Sequence, residues 1–347
     1  MTPSHNPNIE FFKKTFKSLR NQTISFENIE WIIICHNCEY NYIKMIKNIV
    51  KDYENVQIFE LNNKKRGPAS PRNLGLSKAN GKFISFLDDD DELVPKTFET
   101  CEKYFKLKNP DIISFNYKAI GLSKEGPNFK PVNFISDTDE EFFIIDKTNW
   151  QSEKFIFGSG LNITSKIYKN HDFIQKHNIK FDESLLFAED VLFNLDAIHA
   201  ASRITFLTRF EGYLYRMHEG SMIHTLQVNF PDLIHRANGF KKIFDRGLKY
   251  NFFMNQLIMD LIGFEAVMIL NNKDLSYKQI RYISKIFKPY MKYISKINSS
   301  KVYPKNILIF LKILIKLIIE QPISSIIILK IIKLFKIDVS KILGNKQ

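Results

Sequence analysis

Four consecutive carboxylates, Asp88, Asp89, Asp90 and Asp91, follow the apolar run from Phe83 to Leu87. A strand sends alternate side chains to one side, so an extended tail after Leu87 makes Asp88 and Asp90 converge. Two hard oxygen ligands at one point suit Mg²⁺ or Mn²⁺ carrying a diphosphate. An acid run is also ordinary solvated surface, and Asp is at home in a turn before a helix. Context favours the metal reading. Glu92-Leu93-Val94 leads to Pro95, a residue tolerated in a first helical turn. Strand, acid loop and helix then follow in order, and open α/β sheets bind ligands at the carboxyl ends of their strands.

A second acidic pair, Glu189-Asp190, precedes an apolar helical pattern. Acids in a first turn are favourable against the helix dipole, so capping alone accounts for them. Farther on, Tyr215-Arg216-Met217-His218 places a phosphate-binding residue type beside a metal-binding one. Cys35-His36-Asn37-Cys38 has the spacing of a redox pair, but no second ligand pair exists for zinc, and Cys35 reads better as a strand-end core residue.

The elements that must position these groups alternate. Apolar residues at three- and four-residue spacing predict helices over 8–20, around Ile43 to Tyr53, over Arg72–Ala79 and over Pro95–Leu107. Strands are expected at Ile29–Cys35, Val56–Leu61, Lys82–Leu87 and Asp111–Tyr117. This order implies an α/β fold with a doubly wound, mostly parallel sheet flanked by helices. Residues 118–150 form a polar insertion, Ala188–Ala201 a helix and Ile204–Leu207 a strand; from Leu226 onward the pattern is helical.

At 347 residues and 44% apolar content, the chain buries one large core and a smaller appendage. Its net charge is +13, and residues 301–347 hold nine lysines against two acids. Those lysines lie among isoleucines and leucines, which favours a lipid surface over a nucleic-acid groove; no nucleic-acid partner is expected. Lys312, Lys316 and then Lys330, Lys333 and Lys336 make a narrow basic stripe, suited equally to the membrane interface or to packing on protein, including a second copy. No charge-free run of 20 residues is present for a transmembrane helix. Three cysteines and no signal peptide fit a reducing, cytoplasmic setting, peripheral on the inner face of the membrane if the tail binds lipid.

Gly67-Pro68-Ala69-Ser70-Pro71-Arg72-Asn73-Leu74-Gly75-Leu76, with Ala79-Asn80-Gly81-Lys82-Phe83-Ile84-Ser85-Phe86-Leu87 running into the four aspartates, resembles the family-2 inverting glycosyltransferases. The resemblance is clear over residues 8–118, fainter over 150–220 and absent beyond. It implies a GT-A nucleotide-sugar fold in residues 1–222, with 223–347 as a helical C-terminal region carrying the basic tail. It also implies a nucleotide-diphosphate sugar as donor, a uridine one by preference. The resemblance likewise implies an acceptor that is a glycan or lipid-linked hydroxyl in surface polysaccharide synthesis.

Residue by residue, the resemblance makes Asp190 the base and Glu189 its acceptor-positioning neighbour. Asp90, Asp88 and His218 would hold Mn²⁺ or Mg²⁺. Pro3, Ser4, Asn37, Arg72, Asp88, Asp89 and Arg216 would line the nucleotide, with Trp150 and Gly160 in the donor and acceptor pocket. Two departures stand out. Asn37 lies where the family supplies an Asp to the nucleobase. The family's sheet also begins with an apolar central strand ending in a segment like Thr2 to Pro7. That strand is expected to be missing here, the natural protein to extend upstream by about one strand of five or six residues, and the first half to be poorly stable without it.

Overall fold

The computed structural model describes residues 1–121, 140–146, 164–218, 230–252, 254–271, 275–297 and 305–320. These fall into two compact units, one running to His218 and one made of the helices from Phe230 onward.

In the first unit, α1 (Ile9–Arg20) starts at Asn8, whose Oδ1 accepts the N–H groups of Glu10 and Phe11 at 3.0 and 3.2 Å. Its Phe12 and Phe16 stack on Trp31, with ring centroids 5.5 and 5.3 Å apart. Trp31 opens β2 (Trp31–His36), a strand buried throughout, as its continuous apolar run predicts. After α2 (Tyr40–Val50), β3 (Val56–Leu61) pairs in parallel with β2.

The other edge of β2 is not bare. β1 (Thr2–Ser4) pairs with it in parallel, Thr2 opposite Ile33, and Trp31 Nε1–H donates to Thr2 Oγ1 at 2.9 Å. The expected gap therefore holds a three-residue strand. Met1 joins it to β4 (Phe83–Ser85): its ammonium donates to the Ser85 carbonyl at 2.8 Å, and Leu87 N–H donates to the Met1 carbonyl at 3.0 Å. Beside Met1 lies a cavity of about 470 Å³ lined by Trp31 and Ile32 of β2 and by Phe83, Ile84 and Ser85 of β4. Ser85 Oγ is buried without a hydrogen-bond partner.

α3 (Ala69–Lys78) precedes β4, and β5 (Glu92–Leu93), α4 (Thr97–Lys108), β6 (Ile112–Ile120), β7 (Phe142–Asp146), β8 (Lys166–Lys169), α5 (Glu189–Ala200) and β9 (Arg203–Arg216) follow it. They correct the expected parallel sheet. β1, β2 and β3 form a three-stranded parallel sheet, while the others form a six-stranded one in the order β4-β8-β6-β9-β5, with β7 on β9. Only the β6–β9 pair of this second sheet is parallel; the other four are antiparallel. β8 runs back between β4 and β6, which a short strand can do without a helical crossover.

β5, β7 and β8 span only two, five and four residues, too short to show a period. β9 reaches Arg216 rather than stopping near Leu207, because a register shift at Asn116 absorbs its polar middle and Asn116 Nδ2 donates to the Thr208 carbonyl at 2.7 Å. That extension carries Arg216 to the acid loop.

The second unit comprises α6 (Phe230–Lys249), α7 (Asn255–Asn271), α8 (Tyr277–Phe287), α9 (Met291–Ser295) and α10 (Lys305–Glu320). In α10, Leu314, Ile315, Ile318 and Ile319 are buried, while Ile309, Ile313 and Lys316 are exposed. Lys312 does not share the outward stripe expected of it, since its Nζ donates to the Ile297 carbonyl at 2.6 Å. Among the described residues no helix is long and apolar enough to cross a membrane. Lys330, Lys333 and Lys336 lie outside the described residues.

Burial lowers the Met1 ammonium from 8.0 to about 5, with Glu30 and Asp88 opposing. The unfolded chain thus binds this proton more tightly, and the cost to folding is absent above pH 8 and grows as pH falls towards 5. Acetylating the amine keeps one N–H for Ser85 and removes that cost. The acetylated protein is expected to be more stable than the free-amine protein by about 2–3 kcal/mol at pH 6, with the difference vanishing near pH 9. Urea titrations at both pH values measure this; equal stability at pH 6 contradicts it.

Candidate active site

Beyond Ser85 the chain leaves its strand. Asp88 to Asp91 form a turn in which Asp91 N–H donates to the Asp88 carbonyl at 3.3 Å. The convergence of Asp88 and Asp90 thus comes from a turn, not from an extended tail. Thr15 Oγ1 of α1 lies 2.7 Å from the Asp91 carbonyl and fixes the turn from below.

The four carboxylates divide their work. Asp91 is fully buried and accepts the Tyr213 hydroxyl and the Arg216 N–H, both at 2.7 Å. Burial, then Asp90 and Asp88, push its carboxyl well above the usual range. Asp89 accepts the Ser4 hydroxyl at 2.6 Å, and burial raises it to about 8. Asp88 and Asp90 stay partly open, their side chains 30% and 26% exposed, and Asp89 is half-buried beside them. Asp90 Oδ2 lies 2.7 Å from His218 Nε2. Burial and the neighbouring Asp88 raise the Asp90 carboxyl.

Arg72 joins the two acidic motifs. It sits on α3, 5% exposed, and its two terminal nitrogens donate separately: to Asp88 Oδ1 at 3.0 Å and to Glu189 Oε1 at 2.7 Å. Its guanidinium lies 5.6 Å from the Phe181 ring centroid. A planar fork holding two carboxylates from segments about a hundred residues apart is a role lysine cannot fill. Ala188, before α5, has φ 58°, a left-handed conformation costly for a residue with Cβ. The chain thus enters α5 with Glu189 turned inward to Arg72. Burial and then Asp190 raise Glu189 to about 7, against the pull of Arg72. Burial also raises Asp190, which Arg72 and Lys166 oppose.

Arg216 is 8% exposed and grips the acid turn. Its Nε donates to the Asp90 carbonyl at 2.9 Å, an NH2 contacts Glu92, and the guanidinium lies 4.8 Å from the Phe11 ring centroid.

On the nucleobase side, Asn37 (φ 50°) accepts Asn63 N–H at 3.0 Å and sets its Nδ2 3.2 Å from His36 Nε2. Pro3 is half-buried in β1. Cys35 is buried, whereas the Cys38 thiol donates to the Ser4 carbonyl at 3.2 Å. A hydrogen bond from Cys35 lowers Cys38 to about 7. Trp150 and Gly160 lie outside the described residues.

No group of three or more His, Cys, Asp or Glu able to hold a metal occurs among the described residues. The donor set fits a smaller role. Mg²⁺ is commonly held by one or two carboxylates together with substrate phosphates, and two partly exposed carboxylates, Asp90 raised by burial and then by Asp88, suit a cation brought with a diphosphate.

Several contributors to the site escape sequence reasoning: Thr15, Tyr213 and Glu92, which hold the acid turn. Tyr213 lies three residues before Arg216, but nothing local marks it.

The family model described as glycosyl transferase family 2 matches residues 1–161. The chain is 27% identical over 188 residues to the GalNAc(5)-diNAcBac-PP-undecaprenol beta-1,3-glucosyltransferase of Campylobacter jejuni, covering 50% of this chain and 60% of that protein. It is 29% identical over 213 residues to the poly(ribitol-phosphate) beta-N-acetylglucosaminyltransferase TarP of Staphylococcus aureus, covering 61% and 60%. The chain thus spans about 60% of the length of these relatives. Among solved structures, the S. aureus TarS 1-349 complex with UDP-GlcNAc aligns with a TM-score of 0.53 at 20% identity, covering 86% of this chain and 72% of that one. At that identity the likeness concerns the fold.

Removing Arg72 leaves Glu189 buried beside Asp190 without its cation. Arg72→Met is expected to destabilise the protein by about 3–5 kcal/mol at pH 7, read from urea denaturation. Arg72→Lys, one point charge for two partners, should recover less than half of that loss. A loss below about 0.5 kcal/mol in Arg72→Met would show the bridge to be incidental.

Proposed function

The chain carries a glycosyl transferase family 2 domain over residues 1–161, and from this premise we propose that it transfers a sugar from a nucleotide-diphosphate sugar to a hydroxyl of a glycan or lipid-linked acceptor in surface polysaccharide synthesis. The observation that carries the reading is the Arg72 bridge, which sets the open Asp88–Asp90 turn beside Glu189-Asp190. The relatives named above are glycosyltransferases, two of them by name acting on poly(ribitol-phosphate) or an undecaprenol-linked glycan, and the TarS complex holds UDP-GlcNAc. A uridine nucleotide is therefore the preferred donor.

In this reading Asp190 takes the acceptor hydroxyl proton while the oxygen attacks the anomeric carbon from the face opposite the diphosphate. The carbon–oxygen bond to the diphosphate breaks, its electron pair leaving with the nucleoside diphosphate, and the configuration inverts. Glu189 fixes the acceptor beside Asp190. A positioned base contributes roughly 10²–10⁴-fold, because a sugar hydroxyl is a poor nucleophile while protonated. Asp88 and Asp90 would hold Mn²⁺ or Mg²⁺ together with the diphosphate, with His218 beside Asp90 rather than completing a three-ligand group. Such an ion supplies charge neutralisation for the leaving diphosphate. Arg216, fixed at the Asp90 carbonyl, adds positive charge on the same side. Pro3, Ser4, Asn37, Arg72 and Asp89 line the nucleotide, and Trp150 and Gly160 the sugar pocket.

Residues 1–222 serve as the catalytic domain and 223–347 as a helical region. The exposed Ile309 and Ile313 beside Lys316, with the lysine-rich tail, fit contact with the inner face of an anionic membrane; self-association through this face is the alternative use.

A panel of nucleotide sugars with Mn²⁺, assayed for nucleoside diphosphate release in the presence of polyol-phosphate or lipid-linked glycan acceptors, tests the reading. One donor is expected to turn over, and Asp190→Asn and Asp90→Asn should each lower kcat about 10²-fold or more while leaving the melting transition cooperative. Silence across the whole panel favours a non-catalytic nucleotide-sugar binding module.

A further inference from the structure

The cavity beside Met1 is walled by two strands that face each other without pairing. β2 and β4 line it on opposite sides, and Met1 with β1 bridges them at one end only. The direction of each backbone group follows from its bonded neighbours. Trp31 N–H donates to the Asn55 carbonyl at 3.0 Å and Asn37 N–H to the Leu61 carbonyl at 2.9 Å, so odd-numbered N–H groups of β2 face β3. The Ile32 N–H therefore points the other way, into the cavity, one residue before the β1 ladder begins at Ile33. On β4, Asn170 N–H donates to the Lys82 carbonyl at 3.0 Å, which turns even-numbered groups towards β8. The Ser85 carbonyl, on the opposite edge, takes the Met1 ammonium. The Phe83 N–H and carbonyl and the Ser85 N–H thus face the same cavity.

Four main-chain groups converge on one space with no partner among the described residues, and the buried Ser85 hydroxyl is a fifth. Main-chain groups left unpaired inside a protein are costly, and two strand edges across one gap have the spacing to be met together by a strand. The rest of the lining is apolar, with Leu19, Ile24, Phe98, Phe105 and Ile167. Continuing the parallel β1 register backwards places about four residues between Asn28–Ile32 on one side and Lys82–Ser85 on the other. Asn28 and Lys82 line the end away from Met1 and are exposed, so a chain can enter there.

Met1 sets the polarity. Its ammonium closes the inner end of the slot. A strand parallel to β2 brings its carboxyl end to that point, whereas an antiparallel one brings an amino end against a like charge. Burial disfavours the Met1 charge, with Glu30 and Asp88 the groups that support it, so an arriving carboxylate supplies a nearer counter-ion. We propose that this cavity is a docking site for the apolar C-terminal tail of a partner protein. The tail enters past Asn28 and Lys82, pairs with β2 and β4 at once, and ends with its carboxylate at the Met1 ammonium. So bound, it joins the three-stranded and six-stranded sheets into one. The inference does not depend on the transferase reading.

The probe is the peptide Ile-Val-Val-Thr, acetylated at its amino end and free at its carboxyl end, titrated into the full chain by calorimetry at pH 7. Threonine stands last because that residue lies level with Ser85, whose hydroxyl lacks a partner. A Kd of about 1 mM or tighter is expected, with amide exchange at Ile32, Phe83 and Ser85 slowed about tenfold or more at saturating peptide. Amidating the carboxyl end should weaken binding about tenfold. Methylating the peptide's backbone nitrogens keeps its apolar surface, removes its N–H donors and should abolish binding. No heat and no slowed exchange at several millimolar peptide overturns the proposal. Equal binding of the N-methylated peptide overturns strand pairing in favour of a plain apolar pocket, and equal affinity for the acid and amide forms overturns the C-terminal assignment.

Discussion

One buried guanidinium decides whether this chain has a site at all. Asp88 belongs to the loop after β4, and Glu189 begins a helix about a hundred residues later. Both are acids in a region holding four further aspartates, so their natural tendency is to repel. Arg72 reverses that by offering each a separate N–H at 3.0 and 2.7 Å. In a site shielded from water such charge-assisted bonds are strong, and leaving one acid unpartnered is costly. Because Arg72 is spent in this way, its first duty is assembly, whatever contact its flank makes with a nucleotide.

The acid run works by the same logic of division. Four aspartates in a row cannot all serve one ligand, and the turn at Asp88 to Asp91 sorts them. Asp91 and Asp89 turn inward to Tyr213, the Arg216 main chain and Ser4, where they fix the loop. Asp88 and Asp90 are thereby held outward at a set spacing. Arg216 and Thr15 close the loop from either side. The loop's rigidity thus depends on β9 running nine residues beyond the short strand its sequence suggests.

How legible this was depended on periodicity. Continuous apolar strands such as Ile32 to Cys35, and helices with clear three-four spacing, could be read to within two or three residues. The acid motif, Glu189-Asp190 and the Arg72 turn could be read because residue type and order alone carry them. What stayed hidden is set by pairing at long range. The antiparallel insertion of β8, the two-residue β5 and the length of β9 leave no local signature, so a mostly parallel sheet was expected where most pairs of the larger sheet are antiparallel. The extended tail expected after Leu87 is instead a turn, closed by the Asp91 N–H on the Asp88 carbonyl. Thr2–Ser4 pairs with β2 as a three-residue strand, held by the Trp31 indole and two hydrogen bonds through Met1.

The most direct measurement is a crystal structure of the chain with Mn²⁺ and UDP. The account predicts an anomalous manganese peak between Asp88, Asp90 and the diphosphate, with the Arg72 bridge intact and Asp190 facing the vacant sugar position. A nucleotide bound elsewhere, or the Asp88–Asp91 turn free of both metal and phosphate at saturating ligand, contradicts it.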